Sequence, residues 1–450
     1  MNQPAIASAT RRTALSAAIG AVMMWSAPAL SQSNAEQARL LVADVAAGVL
    51  HVYDAADARL LTTIADLQIA AHAGVIALSD GRVLVPDDRN KQLLVLRISG
   101  DAAPIIERRV PMPIPLPTRY AWAAVDPSEA IFAATGLDSD ESVKILTLVD
   151  LKSYSAKQFR VDTGSADAEL NLALGGNPDP VIILHMAEKV ESYRVSDLFS
   201  PEAKINGILD GTVKPTSTVS VGKGGHSNSY SKPTNTFTAS TLRGFELATL
   251  DGNGALTGHK VLSWEANGRG GGRNARQRLT RDGRYVFGPL NASIPPAQWA
   301  DAEVDLHWVE LPTGTTSRAP LARGAVGRGG VSGRLAVYAS IHPDGDIANL
   351  VDLNPASPSF RTVVARVALP KLANGPVAGQ PTTGRESRHS AISPDGRLAF
   401  VTQGGEARVH VIDTAAKAIV RTIDTPTPLK GGGYIVAVQP GVSSADYSAR

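Results

Sequence analysis

The sequence predicts an all-β fold closed into a single ring, and three observations predict it. Strand-sized runs of alternating apolar residues recur through the chain in units of about 40 residues. Most units carry a turn such as Ser-Pro-Asp-Gly396 or Thr-Arg-Asp-Gly283, which supplies the positive-φ backbone of a hairpin. The 41 glycines and 29 prolines among 450 residues suit many tight turns better than long helices. Four antiparallel strands per unit is the pattern of a β-propeller blade.

Taken in order, the first unit, 39–65, supplies three strands: Leu40–Ala43, Val49–Asp54 and Leu60–Ile64. Residues 71–110 give the turn Ser79-Asp80-Gly81, then Arg82–Val85 and Leu93–Leu96. Residues 119–162 give Asp126-Pro127-Ser128, Ala130–Phe132 and Ile145–Asp150. Units 168–221, 224–264, 274–320 and 325–369 come next, marked by Pro180–Leu184, Gly244–Asp251, Arg284–Phe287 and Ile347–Asp352. The clearest unit is 385–424, in which Pro394-Asp395-Gly396 joins two strands and Val409–Asp413 forms a third. The incomplete first unit lacks its innermost strand, and Tyr434–Val438 fits that place. Pairing the two ends in one blade closes the ring and removes a free sheet edge. The expectation is eight blades, or seven if 325–369 or 168–221 merges with a neighbour. The length alone allows about three domains, but the repeats leave one, at 39–441, with a flexible tail at 442–450.

Composition bounds the function. With 43% hydrophobic residues the chain can bury a full core. No cysteine is present, which excludes disulfides, thiolate ligands and thiol nucleophiles. Aromatic residues are 5%, too few for a broad base-stacking platform. The net charge of +2 comes entirely from Arg11 and Arg12, since residues 1–31 hold no acid. Residues 32–450 are formally neutral, without the electrostatic footprint of a nucleic-acid or anionic-lipid binder.

Residues 1–31 read as an export signal peptide: Arg11-Arg12, an apolar stretch to about Trp25, then small-residue cleavage options at Ala27-Pro28-Ala29 and Ala29-Leu30-Ser31. The paired arginines resemble a twin-arginine (Tat) leader, and a Sec signal is the alternative. A short linker, 32–38, separates this segment from the first unit. No later stretch approaches 18 continuous apolar residues, so the expectation is a periplasmic protein with no membrane span after signal removal.

Ser393-Pro-Asp-Gly396 with Val401, and Val409-His-Val-Ile-Asp413, resemble the YVTN-type bacterial β-propellers. The likeness covers the last unit well, the first moderately and the middle ones only as a pattern. It implies a propeller fold and leaves function open, because that family mixes adhesins, cofactor-assembly factors and dehydrogenase partners.

The nine histidines sort by register. His51, His307 and His410 each lie three residues before a strand-ending acid, in a slot that holds Thr147 and Asn349 in other units. They are expected to be structural strand residues. His342 and His259 lie at turns and are expected to be exposed. His185, in the apolar strand Ile182–Met186, reads as a satisfied sheet histidine. His72, His226 and His389 remain. They fall at or near the start of innermost strands, which rim one mouth of the channel. Neutral imidazoles converging there could hold zinc or copper, with Glu169, Glu386 or Asp80 adding oxygen. The alternative is a set of hydrogen-bonded channel groups bridged by water. Ala71–Val75 and Tyr434–Val438 are also similar to segments of periplasmic zinc-metallochaperone propellers. That resemblance implies zinc delivery, although position 73 is Ala and residues 32–40 hold no histidine, unlike that family's paired histidines and His-rich N-terminus.

Arginines and glycines cluster at 267–284, 323–334 and 384–388, each entering an innermost strand. Arg269, Arg273, Arg276, Arg328, Arg385 and Arg388, with flexible glycine amides, are candidates for a carboxylate or phosphate cradle near the same mouth. Solvated inter-blade loops are the alternative. Neither glycine run is a dinucleotide fingerprint, because a strand comes after it where a helix is required. No Gly-x-Ser-x-Gly elbow, His-Glu-x-x-His or EF-hand loop is present. The reading is a non-enzymatic carrier or cofactor-assembly partner that binds a metal ion or small anionic ligand, with a periplasmic protein partner as a further option. The alternatives are a lactonase- or cycloisomerase-like enzyme using His389, Arg388 and Glu386 on a carboxylated substrate, and a plain interaction scaffold.

Overall fold

The computed structural model describes residues 38–69, 74–100, 102–112, 121–136, 142–165, 168–176, 178–224, 227–264, 277–291 and 295–443. They form eight antiparallel sheets arranged as the blades of a propeller, so the count of eight holds and no unit merges. Blade 1 pairs the N-terminal strands Arg39–Asp44, Val49–Asp54 and Leu60–Ile64 with Tyr434–Val438 from the other end of the chain. Leu41 lies opposite Val436, and Arg39 opposite Val438. The closing strand is therefore innermost, as the incomplete first unit predicts. The Asp44 carboxylate secures the approach to that strand by accepting the Leu429 N–H at 2.9 Å.

The other innermost strands are Ile76–Ala77, Ala121–Val125, Asn171–Gly175, Ser227–Ser231, Arg278–Leu279, the split pair Ala325–Val326 and Gly330–Val331, and Ser390–Ile392, in blades 2 to 8. The core lies between blades, not within them. Leu41, Val52, Val436, Val83, Val85 and Leu94 form one cluster across blades 1 and 2. Strand alternation explains this: a blade is buried on both faces, so odd and even residues go to different neighbours.

The histidine slot falls on the third strand of its blades, as expected, and it is buried. His51 bonds Thr63 Oγ1 at 2.9 Å and Thr427 Oγ1 at 3.0 Å. His410 bonds Thr422 Oγ1 at 3.2 Å and Gln403 Oε1 at 2.6 Å. His307 packs against Phe245 and Trp264, with ring centroids at 5.5 and 5.1 Å. Three details correct the sequence reading. His185 is fully buried, but neither ring nitrogen has a hydrogen-bond partner among the described residues. His259 is exposed, as expected, but it lies within the outer strand Leu256–Ser263 and not at a turn, with Nε2 2.8 Å from Glu246 Oε2. His342 is partly buried and faces the Ala300 carbonyl at 3.2 Å. Its turn folds back onto the helical segment Pro296–Asp301, which the sequence pattern does not show.

Candidate functional site: a cationic cavity along the innermost strands

A cavity of about 60 Å3 runs along the innermost strands of blades 7, 8 and 1, with Arg278 of blade 6 and Ala77 of blade 2 also in its wall. Its polar wall is Arg278, Arg328, His389, Ser390, Tyr434 and Ser443. No Asp or Glu among the described residues lines it. Ser443 lies beyond the expected end of the ring at 441, so the packed structure extends past that boundary.

Arg328 is the central feature. It interrupts the innermost strand of blade 7, between Val326 and Gly330. Its backbone bridges to His389 of blade 8, and its carbonyl accepts the Ser390 N–H at 2.9 Å. The side chain is 7% exposed, yet no carboxylate meets it among the described residues. Its Nε is buried without a hydrogen-bond partner among them, and the guanidinium carbon lies 5.8 Å from the centre of the Tyr434 ring. Burial pushes the Arg328 pKa down to about 10. Arg278 is 3% exposed, donates to the Gln277 carbonyl at 3.1 Å, and is also shifted down by burial. Burial raises the Tyr434 phenol pKa, while Arg328 and Arg278 pull it the other way.

The surrounding glycines make room for this arrangement. A Cβ on Gly329 would run into the Tyr338 ring, and one on Gly327 into the Arg388 carbonyl. One on Gly330 would lie 2.6 Å from Ala391 Cα. The glycines therefore let blades 7 and 8 approach closely. Of their amides, the Gly327 N–H is donated to the Ala339 carbonyl at 2.9 Å, and Gly330 lies opposite Val337 in the sheet.

The predicted arginines separate. Arg328 lines the cavity. Arg388 does not; it is fully buried, with Nε and Nη2 at 2.9 and 2.8 Å from Asp346 Oδ2, and it also donates to the Thr402 and Pro370 carbonyls. Its guanidinium is thus committed to joining blade 8 to blade 7. Arg385 is exposed and donates to Gln380 Oε1 at 2.8 Å. Of the predicted histidines, His389 is half-buried in the cavity wall. His72, His226, Arg269, Arg273 and Arg276 lie outside the described residues, as do residues 1–37 and 444–450. Among the described residues, no three His, Asp or Glu side chains converge as metal ligands. No helix among them is long and apolar enough to cross a membrane.

Arg278 and Tyr434 are cavity residues that the sequence reading passed over. The same register that selects His389, the start of an innermost strand, would have found both.

Fold and site together define an eight-bladed β-propeller with a cationic cavity along its innermost strands. Similar solved structures include bacterial propellers. Two structures of AztD from Citrobacter koseri, one of them the apo form, match with TM-scores of 0.58 and 0.59 at 14% identity, over 89% of this chain and 98% of theirs. Dihydro-heme d1 dehydrogenase NirN in complex with DHE matches with a TM-score of 0.54 at 14% identity, over 91% of this chain and 76% of its own. At such identity the likeness shows the fold. No family model and no curated protein matches the chain, so the likeness to YVTN repeats rests on residues 393–413.

Proposed function

We propose that this protein is an exported, periplasmic binding protein whose ligand is a small anion held in this cavity by Arg328. One observation carries the reading: a buried guanidinium faces a cavity without meeting a carboxylate among the described residues. A buried charge without a counter-charge is costly, and a bound anion removes most of that cost. The carrier role rests on the leader-like N-terminus and the cavity along the innermost strands. The zinc or copper reading, with His389 as a ligand, is less favoured, because a cation would share the cavity with two guanidinium groups.

The test begins with protein released from the periplasm, desalted under mild conditions and examined by native mass spectrometry and elemental analysis. The expected result is an anionic small-molecule adduct that is absent from Arg328→Met. Stoichiometric zinc or copper that disappears in His389→Ala would overturn the anion reading and restore the metal one.

A further inference from the structure

We infer that the ligand's anionic group is a carboxylate on a short apolar body, bound with its carboxylate against Arg328 and its body deeper among the inner strands. The inference rests on the anion reading above and adds the ligand class.

The cavity wall is divided along its length. Its charged groups and its phenol sit at the beginnings of the innermost strands: Arg278, Arg328, His389 and Tyr434. Further along the same strands lie Val331, Ala391, Ile392, Val436 and Val438. Blades 7 and 8 bridge in parallel at Arg328 and His389, so their polar beginnings lie together and their apolar continuations lie together. Ala77, Pro394 and Val442 complete the apolar part, with Ser443 beside Val442 as its hydroxyl. A ligand filling both parts has an anionic head and a hydrocarbon body.

Donor geometry separates carboxylate from phosphate. A tetrahedral dianion needs donors around several oxygens, and phosphate sites commonly take them from free backbone amides. Here two of the nearby amides are already used: the Gly327 N–H by the Ala339 carbonyl and the Ser390 N–H by the Arg328 carbonyl. A planar guanidinium presenting a fork of N–H groups matches the two oxygens of a carboxylate. The cavity holds only a few water-sized volumes at roughly 10–15 Å3 each, which suits a short chain.

The test is isothermal titration calorimetry on the purified chain with acetate, propionate, butyrate, butyramide, inorganic phosphate and sulfate. Affinity is expected to rise about fourfold per added methylene from acetate to butyrate. Butyramide, phosphate and sulfate are expected to bind at least tenfold more weakly than butyrate. Arg328→Met is expected to lose at least tenfold for butyrate, and Val331→Ser to flatten the acetate-to-butyrate series without abolishing acetate binding. If Arg328→Met does not fold, the series and Val331→Ser still decide the matter. Phosphate or sulfate binding tightly through Arg328 while the carboxylates remain weak would overturn this inference and leave the anion reading standing. No anion binding, or butyrate binding equally to wild type and Arg328→Met, would overturn both.

Discussion

Arg388 and Arg328 lie in comparable stretches of sequence, and the structure gives them opposite tasks. Replacing Arg388 by Met tests that division. Wild-type Asp346 is 1% exposed and accepts a charge-assisted hydrogen bond from Arg388 Nε at 2.9 Å, with Nη2 of the same guanidinium 2.8 Å away. Burial pushes the Arg388 pKa down, while Asp346 opposes that shift. In Arg388→Met the Asp346 carboxylate stays buried without its cation, and the Thr402 and Pro370 carbonyls lose a donor. Breaking a buried pair from one side costs about 3–5 kcal/mol. Asp346→Leu should cost about as much, because it strands the guanidinium instead. The double variant should recover most of the loss, since replacing both partners with apolar side chains is often neutral. Urea unfolding followed by tryptophan fluorescence would measure the cycle. Butyrate affinity should stay within about threefold of wild type in folded Arg388→Met, because this guanidinium does not line the cavity. Single variants within about 1 kcal/mol of wild type, or a butyrate loss matching that of Arg328→Met, would refute the reasoning.

Other consequences are equally direct. Burial pushes His185, His307 and His410 each down to about 4, so the unfolded chain takes up protons that the native ring refuses. Stability should therefore fall as pH drops from 6.5 toward 4, and His307→Phe should reduce that slope by up to about 1.4 kcal/mol per pH unit. Burial acts to raise Glu246, but hydrogen bonds from Arg243, Thr241, the Gly222 N–H and His259 outweigh it and hold the group at about 2. Its stabilising contribution is complete above about pH 4.5 and is lost as pH falls through about 2; in pH-dependent urea unfolding, Glu246→Gln should lower neutral-pH stability and remove that acid step. Gly330→Ala would place a Cβ 2.6 Å from Ala391 Cα, where only backbone movement gives relief. A loss of about 1–3 kcal/mol is expected by chemical denaturation, and an unchanged midpoint would show that the blades do not pack this closely.

The sequence by itself determined the ring. Period-2 alternation and turn residues are local signals, so the eight units were legible, and so was Tyr434–Val438 as the strand completing blade 1. It also placed His51, His307 and His410 in one buried slot, because that slot repeats with the strands. The site was legible only in part. Arg328 and His389 stood out by register, but Arg278 was passed over within a basic run and Tyr434 was read only as part of a strand. Nothing local distinguishes Arg328 from Arg388. The distinction comes from Asp346, 42 residues before Arg388 and on the preceding blade, which takes up one guanidinium and leaves the other facing the cavity. Gly327 and Gly330 depend on space in the same way: their missing side chains allow blades 7 and 8 to meet. Strand pattern depends on neighbours in sequence, whereas the pairing of a buried charge depends on neighbours in space, and only the closed ring brings those together.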